Sequence, residues 1–179
     1  MGTETLTTLA LSEELANLEF NQLSNNDIEQ IQRLILDYSA VTLCGSVQPW
    51  GRILTAWGRQ NGSGASSLIG SGTRVSAATA GLVNGTSAHG YELDDTHDAS
   101  MSHPGTVVIS AALAVGNEVG ASGPELMTAI VAGYEAMTRV GMAANPVRVI
   151  EFGRHPTCLF GPFGAAAAAG HLLGLDGAG

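Results

Sequence analysis

Residues 84–105 read Asn-Gly-Thr-Ser-Ala-His-Gly-Tyr-Glu-Leu-Asp-Asp-Thr-His-Asp-Ala-Ser-Met-Ser-His-Pro-Gly, and they hold three of the chain's five histidines: His89, His97 and His103. Four of its sixteen acids, Glu92, Asp94, Asp95 and Asp98, fall in the same stretch. Imidazoles and carboxylates crowded between two apolar flanks suit proton transfer; the bland alternative is a solvated connection between helices. His103 precedes Pro104 at an expected helix start, where the helix dipole disfavours imidazolium, so a neutral ring there can serve as a general base. His155 repeats the His-Pro pair beside Arg154. The four acids cannot all face a buried site ionised, because like charges raise one another's pKa. An inward acid could donate a proton to a leaving hydroxyl or orient a histidine. Thr96 could hydrogen-bond a substrate carboxylate, and Arg154 and Arg148 are the cations placed to bind an anion bidentately.

Metal binding competes with this reading. His89, Glu92, His97 and Asp98 are ligand types, but their spacing matches no HExxH-type pattern, so no metal is expected. The chain shows no GxGxxG after a strand, no P-loop and no GxSxG elbow, and no cofactor is expected.

The elements that would position these groups are helical. Leu6, Leu9, Leu15 and Leu18 give residues 1–24 one weak stripe, an N-terminal extension or weak helix. Asn25-Asn26-Asp27 offers a cap for a helix over about 26–43, with Ile28, Ile31, Leu34, Ile35, Tyr38 and Val41 at helical spacing and Gly45 placed to end it. Pro49 starts a helix carrying Trp50, Ile53, Leu54 and Trp57. Ser67-Leu-Ile-Gly reads as a short extended piece. Ser76 caps a helix that runs into His89, and Pro104 opens another that lasts to Gly116 or Gly120. Ser122-Gly-Pro-Glu caps a third, running to Val140. Residues 144–159 read as a second irregular polar stretch. The Gly/Ala-rich segment from Gly161 reads as a buried helix near the middle of a bundle, and Asp176 is placed to cap a further element. No hairpin signal separates alternating strands, so the fold class is all-α.

The 179 residues suffice for one domain with a core, and residues 25–179 form its body. Only 13% of residues are charged against 45% hydrophobic, which favours a homo-oligomer or a covering partner. A net charge of −9 argues against nucleic acid and anionic membrane. Every basic residue is arginine; without lysine, no Schiff base or lysine clamp is available in this chain. Cys44 and Cys158 show neither metal spacing nor a disulfide framework. No basic n-region opens the sequence and no apolar run reaches the roughly 18–20 residues of a membrane span, so a cytoplasmic location is expected.

Asn84-Gly-Thr-Ser-Ala-His, Glu92-Leu-Asp-Asp-Thr, Ser102-His-Pro-Gly, Ser122-Gly-Pro-Glu-Leu-Met-Thr-Ala-Ile-Val-Ala-Gly-Tyr-Glu, Arg154-His-Pro-Thr and Phe163-Gly-Ala-Ala-Ala-Ala-Ala-Gly-His-Leu-Leu-Gly-Leu together resemble the MmgE/PrpD family of 2-methylcitrate dehydratases and cis-aconitate decarboxylases. The resemblance implies the large helical domain of that family and cofactor-free lyase chemistry on small di- or tricarboxylates, in a dimer. It carries the family's acidic site position onto Glu92, where aspartate is more usual, its acid–threonine pair onto Asp95 and Thr96, and its two site histidines onto His103 and His155. Family members are more than twice as long. Their second half adds a lid domain bearing active-site lysines, which this chain lacks, so a partner chain is expected to complete the site. Two other readings stand beside the lyase: recruitment to another proton transfer, such as an epimerase or cyclase reaction, and a non-catalytic binding or scaffold subunit.

Overall fold

The computed structural model describes residues 7–178. Among them eight α-helices run in order: α1 (Thr7–Ala16), α2 (Asn25–Ser46), α3 (Pro49–Asn61), α4 (Ala77–His89), α5 (Pro104–Val119), α6 (Gly123–Ala143), α7 (Pro146–Glu151) and α8 (Pro156–Leu172). The all-α class holds. One two-stranded antiparallel pair interrupts it, β1 (Ser66–Ser67) and β2 (Arg74–Val75), with Ser66 opposite Val75. The extended piece expected at Ser67 therefore exists but belongs to a hairpin that no turn dipeptide announced. Leu6, counted in the N-terminal stripe, lies outside the described residues.

Several helix starts follow from local chemistry. Ser24, not the Asn25-Asn26-Asp27 run, caps α2 by accepting from the Asp27 amide, while the Asp27 carboxylate accepts from the Ser24 amide. Ser76 and Ser122 cap α4 and α6 in the same way, each accepting from an amide three residues on. Proline stands in the first turn of α3, α5, α6, α7 and α8, where a missing N–H costs nothing.

Two expectations change. Gly45 does not end α2. It lies inside the helix, buried, and a Cβ there would overlap the backbone carbonyl of Ser87 on α4. Its role is close helix approach, which resembles a cap in sequence because both demand glycine. The stretch 144–159 is also not wholly irregular: Asn145, at φ 57°, caps the short α7.

The most enclosed helix is α5. Val108, Ile109 and Ala112 are fully buried, packed with Tyr38 of α2, Ile130 and Met137 of α6, and Phe160 and Ala168 of α8. Its polar groups are satisfied inside the core, since the Ser110 and Tyr38 hydroxyls lie 2.7 Å apart and Thr106 Oγ1 donates to the Gly85 carbonyl at 2.9 Å. The Gly/Ala helix α8, expected at the middle of the bundle, buries Gly161, Gly164 and Ala168 but leaves Pro162, Phe163 and Leu173 exposed. Its small residues do permit close packing on α6. A Cβ on Gly133 would stand 2.8 Å from the Gly164 carbonyl oxygen.

Candidate active site

Three helix ends meet in a histidine cluster, and two of them reach one buried carboxylate. His89 is the last residue of α4, and His103 and His155 are the N-caps of α5 and α8. The His89 ring lies edge-on to both, with centroids 4.9 Å from His103 and 5.7 Å from His155. Thr157 fastens the two His-Pro helices together: its Oγ1 accepts from the His103 amide at 2.9 Å. The intervening loop is pulled tight by the antiparallel pairing of His97 with Ser102, and the His97 ring caps the turn Asp98–Ser100 by accepting from the Ser100 amide. His97 is thus a structural histidine. Gly90 leaves α4 directly against the Trp50 indole, which also meets Tyr91 edge-on; a side chain at Gly90 would collide with it.

Asp94 is the carboxylate at the centre, with 1% of its side chain exposed. His89 Nδ1 is 3.1 Å from both carboxylate oxygens, and His103 Nδ1 lies 3.4 Å from Oδ1 and 3.3 Å from the Asp94 carbonyl oxygen. The hydrogen bond to Asp94 holds the His89 pKa above the ordinary imidazole value, with burial working against it.

These contacts assign tautomers. His103 directs Nδ1–H at Asp94, which leaves an unprotonated Nε2 with a free lone pair. His155 is the mirror case. Its Nδ1 accepts the Cys158 amide at 3.4 Å in capping α8, so the neutral ring carries its proton on Nε2. One imidazole is set to accept at Nε2 and its neighbour to donate from Nε2.

The other expected site residues are placed as follows. Glu92 is exposed, 4.0 Å from His89 Nε2, with left-handed backbone at φ 51°. Asp95 turns to partners other than a histidine: its Oδ1 accepts the Gly105 amide at 2.8 Å and its Oδ2 the Tyr134 hydroxyl at 2.9 Å. Burial raises its pKa despite those bonds. Asp95 therefore anchors the first turn of α5, on which His103 rides. Thr96 and Arg154 are exposed. Among the described residues neither Arg148 nor Arg154 is held in an ion pair, though Arg148 lies over the Phe152 ring. His89 and Asp94 stand out in the sequence only as members of the polar cluster, with no role singled out for either as a proton-transfer group, and Thr157 and Tyr134 do not stand out at all. Tyr134 sits in a motif dominated by helical periodicity and gave no chemical signal of its own. Two trios offer metal-ligand atoms within 4.8 Å of one another, His89–Asp94–His103 and His89–Glu92–His155.

Residues 10–179 match the model of the MmgE/PrpD N-terminal domain. A cis-aconitate decarboxylase-like protein of Aspergillus oryzae is 30% identical over 177 residues, covering 94% of this chain and 37% of that protein. The cis-aconitate decarboxylase of Aspergillus terreus is 28% identical over 166 residues and that of Mus musculus 29%, each covering 89% of this chain and 34% of the relative. The chain thus spans about a third of the length of the curated relatives it matches.

Proposed function

Because the chain belongs to the MmgE/PrpD family, matched through its N-terminal domain, we propose that it is a cofactor-free lyase or lyase subunit acting on a small di- or tricarboxylate. The observation that carries this reading is the pair of opposite tautomers at His103 and His155, set beside one another by Thr157. In a dehydration, His103 Nε2 removes the proton from a carbon next to a carboxylate. The C–H electrons become the new double bond, and the hydroxide leaves with the proton from His155 Nε2. In a decarboxylation the C–C bond breaks to release CO2, and the proton of His155 goes to the carbon that keeps the electron pair. Either course needs one proton acceptor and one proton donor, the roles taken here by His103 Nε2 and by the Nε2–H of His155. The positive ends of the α5 and α8 dipoles favour an anionic substrate here, and Arg154 and Thr96 complete its carboxylate contacts. Glu92 lies on the open side of the cluster, and Asp95 acts by holding the α5 start.

These residues form one wall. Polypeptide outside these 179 residues, which we assign to a second chain carrying a lid domain and lysines, closes the other. Native mass spectrometry of the protein from its source tests for that chain. In the complete assembly His103→Gln and His155→Gln each lower kcat by roughly 10²–10⁴-fold on the accepted tricarboxylate. Full turnover by either variant would remove that histidine from the chemistry.

A further inference from the structure

The geometry points to a divalent transition-metal site at the centre of the imidazole cluster, formed by His89 Nδ1, His103 Nδ1 and Asp94 Oδ1. Nitrogen and oxygen ligands bind Zn²⁺ at about 2.0–2.2 Å, so two donors on a tetrahedral ion stand about 3.4 Å apart. Two of the three edges already have that spacing: Asp94 Oδ1 lies 3.1 Å from His89 Nδ1 and 3.4 Å from His103 Nδ1. All three ligand atoms lie within 4.8 Å of one another. Both rings are partly exposed and can rotate to close the remaining edge.

The surroundings supply the driving force. Asp94 is buried, and among the described residues no arginine and no backbone amide reaches its carboxylate; its neighbours are these two imidazoles. A cation at that point compensates a charge the protein otherwise covers with N–H groups alone. Two imidazoles and one carboxylate select a borderline ion such as Zn²⁺, Co²⁺ or Fe²⁺ over Mg²⁺ or Ca²⁺, which take oxygen ligands. The alternative trio of His89, Glu92 and His155 is a poorer cage, because Glu92 and His155 are exposed and the Glu92 carboxylate stands 4.0 Å from His89 Nε2.

Occupation changes the chemistry of His103. A metal on Nδ1 takes the lone pair there and moves the ring proton to Nε2, the atom that acts as base in the metal-free protein. The ion is therefore an inhibitor. This consequence, unlike the site itself, rests on the lyase reading.

The test is titration of the 179-residue chain, with Cys44 and Cys158 replaced by serine, using Zn²⁺ in a calorimeter and Co²⁺ in a visible spectrometer. One equivalent binds with micromolar or tighter affinity, and cobalt gives the d–d bands of a low-coordinate nitrogen and oxygen site. His89→Ala, His103→Ala and Asp94→Asn each weaken binding at least tenfold, while His171→Ala leaves it unchanged. Circular dichroism checks folding; should Asp94→Asn unfold the chain, the two partly exposed histidines carry the test. Full affinity in His103→Ala overturns the site, as does loss of binding in Glu92→Gln with none in Asp94→Asn. Zinc binding by the chain together with no turnover of any carboxylate by the metal-free complete assembly would sink the lyase reading alone. Turnover without zinc binding would sink the metal site alone.

Discussion

Tyr38 is fully buried where α2 meets α5, its hydroxyl against Ser110, and burial pushes its phenol up to about 12 from an ordinary 10.0. The folded pKa is the higher one, so the contribution to stability is complete below pH 10, where the group is neutral in both states. Between about pH 10 and 12 the unfolded chain ionises Tyr38 and the native chain does not, and roughly 3 kcal/mol is lost across that window. Tyr134 shifts in the same direction through burial and the neighbouring Asp95, and adds to the fall. Urea denaturation at intervals from pH 8 to 12 should show Tyr38→Phe starting about 1 kcal/mol less stable and declining less steeply; parallel declines would refute the assignment. Glu92 gives a second residue-scale prediction. Its left-handed backbone, φ 51°, costs a non-glycine residue about 1 kcal/mol, so Glu92→Gly should raise the thermal midpoint by a few degrees. A lowered midpoint would mean that the side chain stabilises the loop by more than the strain costs. The two His-Pro pairs were legible in the sequence because proline fixes the helix start and hence the cap. Asp94 was not separable from Asp95. Adjacent acids in irregular backbone have no period to say which one turns inward, and here the inward carboxylate facing the histidines is Asp94 while Asp95 faces Tyr134.

Helix spacing is set by glycines whose two uses look alike in sequence. Gly45 was legible as a glycine near a helix end, yet what fixes it is the Ser87 carbonyl on a helix some forty residues later, which no local pattern encodes. Gly45→Ala forces α2 and α4 apart beneath His89 and should cost more than about 3 kcal/mol, or prevent folding. Gly81, mid-way along α4, is the opposite case: a Cβ there meets no atom within 4 Å and the backbone is helical. Gly81→Ala should stabilise by about 0.5–1 kcal/mol through lower unfolded-state entropy and better helix propensity. Chemical denaturation of both variants checks the pair. A mild loss at Gly45 would mean that close approach to α4 does not govern α2, and a loss at Gly81 that the space beside it is not open. The same pairing of periodicity with hidden contact explains why α8 was legible as a helix while its exposed face was not. Gly161, Gly164 and Ala168 mark the buried side, but only the packed structure shows that Phe163 and Leu173 have nothing over them among the described residues.

At the scale of the molecule, the surface carries apolar side chains in an order that a monomer does not need. Leu36 and Leu43 on α2 and Val47 at its C-cap are all exposed, Leu36 by 71%, and their spacing of seven and then four residues continues one helical face. Ile53 and Trp57 extend the apolar surface on the adjoining α3. With charged residues at only 13%, little electrostatic repulsion opposes contact between such faces, and a net charge of −9 spread over the chain supplies solubility without guarding this stripe. A second copy of the chain is the occupant we expect. A stable pair buries roughly 1,200–2,000 Å² in total, and two helices lying side by side on their counterparts can provide it. Sedimentation velocity from low to high micromolar protein should show a rising weight-average coefficient. Leu36→Glu combined with Leu43→Glu should hold it at the monomer value without lowering the thermal midpoint, because both side chains already face solvent within one chain. A species that stays monomeric throughout would leave the α2 stripe without a partner copy. Association that survives both substitutions would move the contact elsewhere, to the exposed Phe152 and Phe163 around α7 and α8, the side of the bundle that carries His155.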